Sequence, residues 1–205
     1  DFPPCSREDS TFTDMAQSQQ VTFNSNGWGT VFLDADNDRA LDLLKASFKW
    51  AREVNPSQPI TSGVWGGFIG RDGKRTDSIT SITKFMLDKS DIITFHTYQA
   101  PEVAEIQINF LKKYNRPILC TEYLARSRNN NFETILTQFK DNNIGAYNWG
   151  FVSGKTNTIY HWDSWATKMT AEPELWHHDI FRGDYTPYKK EEVNSIKTLI
   201  AEKNK

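Results

Sequence analysis

The sequence predicts an α/β protein, a parallel sheet with helices outside it, and three observations carry that reading. Short apolar runs alternate with amphipathic helical stretches from residue 60 to residue 152. The runs are apolar at successive positions rather than at every second one, the pattern of strands covered on both faces. No helix opens on a glycine-rich phosphate loop of the kind a doubly wound nucleotide fold carries. "GVWGGFIG" (63–70) has the glycines without the strand-to-helix context.

Taken in order, the elements begin weakly. Thirteen of the first thirty residues are Ser, Thr, Asn or Gln, so residues 1–30 are expected to form a polar, irregular segment. "TVFLDA" (30–35) is a possible strand. "DRALDLLKASFKWAREV" (38–54) places Leu41, Leu44, Phe48 and Ala51 at helical spacing, with Asn37 or Asp38 as N-cap, and "NPSQP" ends it. A strand "ITSGVW" (60–65), a helix over 77–90 and a strand "DIITFHTY" (91–98) follow. Pro101 opens the next helix, 101–115, at its first turn. Then come a strand over 117–123, a helix near 131–142, the strand "IGAYNWGFV" (144–152), a loop-rich excursion over 153–187, and a closing helix, 188–203. In that last helix Val193, Ile196, Leu199 and Ile200 share one face. Four clear strands and a possible fifth fall short of an eight-stranded barrel, which takes about 250 residues. The expected architecture is a partial (β/α)8 TIM barrel, its second half, occupying residues 31–205 of the 205-residue chain.

The totals narrow the partners. Lys and Arg number 24 against 26 Asp and Glu, a balance that recommends neither nucleic acid nor an anionic membrane. No apolar stretch approaches the ~20 residues a membrane span needs. Seven Trp, seven Tyr and thirteen Phe suit either an aromatic core or a surface that stacks on sugar rings. Cys120 lies inside an apolar strand and reads as a buried thiol, and Cys5 is far from it in sequence. The first residue is Asp1, which fits removal of a targeting segment, hence a secreted or periplasmic location, or a piece of a longer protein.

Barrel chemistry sits at the C-terminal ends of strands. Those ends carry Trp65, then His96 and Tyr98, then Glu122, then Asn148 and Trp149. Polar or aromatic groups at four consecutive strand ends are more than an ordinary core supplies. Here "DIITFHTY", "RPILCTEY", "GAYNWGFVSGKTNTIYHWDSW" and "EPELWHHDIFRGDYTPY" resemble the C-terminal half of TIM-barrel retaining glycoside hydrolases. The likeness is to bacterial β-glycosidases of the cellulase, xylanase and β-galactosidase clan, over residues 38–200.

The resemblance implies hydrolysis of β-linked oligo- or polysaccharides by a retaining mechanism, with Glu122, ending the seventh strand, as nucleophile. It implies that His96 and Tyr98 orient that carboxylate and that Trp149 lies beneath the sugar ring. Lys155 is a candidate for a sugar hydroxyl, and Trp162, Trp165 and Trp65 for the aromatic floor. No cofactor is implied. His177 and His178 are adjacent, which is poor metal-ligand spacing, so no metal site is expected.

The pattern also departs from the family. The clan's acid/base is the Glu of an Asn-Glu-Pro motif, and that motif is absent from the sequence. Matching the helix at 38–54 to its family position puts "FLDAD" there, with Asp34 nearest the acid/base, Leu33 in place of Asn and Ala35 in place of Pro. The alternative to an enzyme is therefore a non-catalytic carbohydrate-binding half-barrel, or an assembly module completed by a second copy or a missing half.

Overall fold

The computed structural model describes residues 38–65 and 79–203, and the chain divides into two compact units, Asp1–Gln58 and Pro59–Lys205. The polar segment 1–30, the expected strand 30–35, Cys5 and the candidate acid Asp34 lie outside the described residues. In the first unit, α1 (Asp38–Glu53) follows its expected range, and Leu41, Leu44, Phe48 and Ala51 are its less exposed positions.

The second unit is α/β. Its sheet has three parallel strands, β1 (Ile93–His96), β2 (Ile118–Glu122) and β3 (Gly145–Ala146), in the spatial order of the chain. Helices separate them. α2 (Ser81–Lys89) precedes β1, with Thr80 accepting a hydrogen bond from the Thr83 amide as N-cap. Between β1 and β2, α3 (Pro101–Leu111) starts on the expected proline and buries Ala104, Gln107, Ile108 and Leu111, the spacing of one helical face. A π-helical turn (Phe132–Leu136) runs into α4 (Thr137–Asp141) between β2 and β3, opened by an Asn131–Thr134 capping box. The core lies between sheet and helices. Ile93, Phe95, Ile118 and Cys120 meet Leu87, Ile108, Leu111, Phe132, Ile135 and Phe139 there.

Two expected strands are shorter than the apolar runs that predicted them. Residues 60–65 run beside β1, yet only Val64 makes a ladder bridge, to Phe95. Elsewhere side chains supplement the backbone: the Asp91 amide donates to the Ile60 carbonyl at 2.7 Å, the Ile60 amide bonds the Asp91 carboxylate at 2.8 Å and the Ser62 amide the Ser90 hydroxyl at 3.1 Å. β3 keeps two residues, but the Tyr147 and Trp149 amides still donate to the Cys120 and Tyr123 carbonyls, both at 2.8 Å. Glycine at 145 gives the neighbouring strand room, because a Cβ there would stand 2.4 Å from Leu119 Cδ2 and make that side chain shift.

The C-terminal helix, α5 (Lys190–Lys203), corrects one expectation. Val193 and Ile196 pack against the core, but Ile200 is 58% exposed, and the most buried side chain is the charged Glu192. Its partner is Arg126, in a 3-10 turn (Arg126–Arg128) just beyond β2. The sequence offered no apolar signal for a helix anchored by an ion pair.

Candidate active site

The β1–β2 ladder is regular from Ile93↔Ile118 to Phe95↔Cys120, and then His96 pairs with Glu122. Thr121 is the extra residue, a bulge stitched by its hydroxyl to the Phe95 carbonyl at 3.2 Å. Strand partners share a face and successive residues alternate. In unbroken register His96 would pair with Thr121 and Glu122 would keep the face of Cys120. The bulge re-aims the carboxylate, a recurrent use of bulges beside functional sites.

Glu122 Oε2 then receives one hydrogen bond and one close ring contact. The Tyr98 hydroxyl donates at 2.8 Å, and His96 Nδ1 lies 3.1 Å away. Burial pushes the His96 pKa below its usual value, against the pull of Glu122, so the ring is neutral near pH 7. Burial, reinforced by the bond to Glu122, raises the Tyr98 phenol well above its usual range. The phenol therefore keeps its hydrogen. Phenol and imidazole meet the same oxygen, and among the described residues no donor reaches Glu122 Oε1.

The chain beyond Glu122 is tightly held. Leu124 is fully buried with φ +86°, a left-handed conformation that costs a leucine energy. Its amide donates to Asn130 Oδ1 at 2.8 Å, and its carbonyl accepts from His178 Nδ1. Asn130 is itself fully buried and donates to the Thr97 and Gln99 carbonyls at 3.1 and 2.7 Å. One asparagine thus ties the loop after β1 to the loop after β2. A thiol closes the rear: Cys120 is free, fully buried, and pushed up to about 12 by burial.

Aromatic rings surround the carboxylate. Trp65, 68% exposed, stands edge-on to His96 (5.2 Å between centroids) and Tyr98 (5.9 Å). Trp162 lies 5.3 Å from Tyr98, and Arg128 sits over the Trp162 ring at 4.9 Å. His177 and His178 pack here too, 4.4 and 5.9 Å from Trp162, with His178 5.5 Å from Tyr98. Burial is the first cause that drives them down, to about 3 for His177 and about 4 for His178. The chain contains four histidines, and all of them, His96, His161, His177 and His178, belong to this connected set of rings.

Glu122, His96, Tyr98, Trp65 and Trp162 are thus brought together. Trp149 is half-buried and its amide bonds the residue after Glu122. Lys155 and Trp165 stand apart: Lys155 is exposed with no hydrogen bond or ion pair among the described residues, and Trp165 is 63% exposed. Sequence reasoning weighed His177 and His178 only as metal ligands, and passed over Arg126, Arg128 and Asn130. The overlooked signal was "ARSRNN" (125–130), two arginines and two turn-forming asparagines directly after the strand that carries the acid. Gly150 was a second, since at φ +85° its Cβ would stand 2.6 Å from the Asp179 amide.

No family model and no curated protein matches the sequence. Solved structures do match. One is the GH2 β-galacturonidase from Eisenbergiella tayi bound to galacturonate, at 11% identity and a TM-score of 0.50 over 82% of this chain and 31% of that one. The likeness is one of fold, an α/β architecture shared with part of a glycoside hydrolase. This chain spans about a third of the length of the protein it matches.

Proposed function

We propose that the protein is a glycoside hydrolase, or part of one, that cleaves β-linked saccharides by a retaining mechanism with Glu122 as nucleophile. The observation that carries the reading is the meeting of the Tyr98 hydroxyl and the His96 ring at Glu122 Oε2, with no donor among the described residues on Oε1, at the end of a parallel strand. A glycosidic nucleophile needs one oxygen aimed at the anomeric carbon and a rigid mount for the other. His96 and Tyr98 supply the mount, and the bulge at Thr121 supplies the aim. The unidirectional strand order and the fold shared with part of a glycosidase support placing the sheet as one arc of a (β/α) barrel. Trp65 and Trp149 would face the sugar, and the remaining strands would come from the rest of a longer chain or from a second copy.

Retaining hydrolysis also needs a carboxyl group ~5–5.5 Å from the nucleophile as acid/base. The missing Asn-Glu-Pro motif therefore supports a second reading, a site that holds sugar without turning it over. A 2-deoxy-2-fluoro aryl β-glycoside separates the two. In the first reading it becomes esterified to Glu122, as peptide mass mapping would show. Labelling of another residue, or saccharide binding without any labelling, would overturn the nucleophile assignment.

A further inference from the structure

Arginines in this fold are normally answered. Among the described residues, Arg126 meets Glu192, Arg182 meets Glu172 at 2.9 Å, and Arg116 donates to the backbone carbonyls of Leu87, Asp88 and Ser90. Arg128 is different. Its guanidinium has no carboxylate and no hydrogen bond among the described residues, only the Trp162 ring beneath it. It is exposed, six residues past Glu122, in a turn that cannot drift. Arg126 is buried at its front, Asn129 closes it at φ +55°, and Asn130 bolts it to the loop that follows Tyr98.

We propose that Arg128 is the carboxylate-binding residue of this site, and that the saccharide it takes is acidic, carrying a uronic acid. The inference rests on reading Glu122 as a glycosidase centre and adds the substrate class. A guanidinium stacked on an indole uses its face for the ring and keeps its edge of N–H donors free. That edge matches a carboxylate, which it binds with two parallel charge-assisted bonds. Trp162 connects the two ends of the site, since one side of it carries Arg128 and Tyr98, the donor to Glu122, packs beside it. A neutral sugar would leave that edge to water, whereas a uronate carboxylate would meet it with charge.

Matched aryl β-glycosides that differ only at C6 test this: 4-nitrophenyl β-glucuronide against β-glucoside, and β-galacturonide against β-galactoside. In at least one pair the acid sugar should have the higher kcat/KM by about tenfold or more, as a charge-assisted pair provides. In Arg128→Gln the acid-to-neutral ratio should collapse by about ten- to a hundredfold, with Arg128→Lys between, since it keeps the charge and loses the fork. Melting curves of both variants check that the exposed substitution leaves the fold intact. A wild-type protein that prefers the neutral member of both pairs, or a ratio that survives Arg128→Gln, overturns the acidic-substrate proposal and leaves the glycosidase reading standing. Failure to cleave any of the four overturns both.

Discussion

Glu122 and Glu192 are both carboxylates pulled away from water, and the molecule treats them oppositely. Glu192 is 3% exposed and receives a bidentate arginine, Arg126 Nε to Oε1 at 2.8 Å and Nη2 to Oε2 at 2.6 Å. Arg126 spends its other hydrogens on the carbonyls of Trp176, His178 and Asp179, and lies over Tyr188, which stacks on Trp176 at 3° between planes. Every charge there is matched and every donor spent. Glu122 is 25% exposed, has the Tyr98 hydroxyl and the His96 ring on one oxygen, and no lysine or arginine pairs with it among the described residues. A carboxylate locked by an arginine is fixed in place as structure. One without an arginine, with an oxygen that no donor among the described residues reaches, fits the nucleophile we propose.

The largest effects come from removing each charge. Glu122→Gln keeps the shape and partners in a site open to water, so stability should hardly move, while any hydrolysis should fall by a thousandfold or more, of the order seen when a nucleophile is removed. Glu192→Ala should do the reverse. Stranding Arg126 in the core costs about 3–5 kcal/mol, which for a chain of this size lowers the melting temperature by roughly 10 °C. Thermal melts and aryl glycoside turnover on the two variants, side by side, check it. Equal destabilisation by both would mean that the two carboxylates do not differ in kind.

An intermediate effect tests the strip joining the two regions. The His178 carbonyl is held by Arg126 and its ring lies on Tyr98, so His177 and His178 belong to both. Folded, they titrate near 3 and 4, because burial disfavours their charged forms, and His96 is depressed for the same first cause. Unfolded, they take up protons near pH 6.5. Between pH 6.5 and about 4 the unfolded chain therefore binds more protons than the folded one, and stability falls as pH falls. Asp179 opposes this at the lower end, because burial raises its carboxyl pKa and the folded state holds that proton. Urea midpoints should drop from pH 7 to pH 4.5. A flat or rising profile would contradict neutral, buried histidines at this junction.

How much of this could be read in the sequence follows from how local each cause is. The helices at 38–53 and 101–111 declare themselves by spacing and by Pro101. Strand β2 shows in four consecutive apolar or small residues, and its terminal acid is conspicuous because nothing apolar explains it. The bulge at Thr121 is invisible, since it depends on which neighbour Phe95 and His96 find. The Arg126–Glu192 pair spans 66 residues, and nothing in an amphipathic pattern marks Glu192 as the buried member of its helix. Aromatic strand ends were legible as residues but not as contacts: Trp162 joins Glu122's surroundings through Tyr98, while Trp165, three positions on, remains in solvent.

The smallest predicted effect concerns Trp65, and it sharpens what separates the two carboxylates. Trp176, whose carbonyl accepts from Arg126, is 1% exposed, so its ring holds the fold together; Trp65 is 68% exposed and meets the His96 and Tyr98 rings in T-shaped contacts. An exposed ring gives little to stability, so Trp65→Ala should melt within a few degrees of the parent. What it removes is a ring face beside His96 and Tyr98. Aromatic contacts contribute about 0.5–1.5 kcal/mol beyond the area they bury, so saccharide affinity should weaken by roughly two- to tenfold. Titration calorimetry with an oligosaccharide, alongside a melt, measures both quantities on one sample. The asymmetry between them is what matters, because a ring that serves the site must cost binding while sparing the fold. Trp65→Ala that melts far below the parent, or binds saccharide unchanged, would place Trp65 with the scaffold and leave Glu122 with His96 and Tyr98 alone.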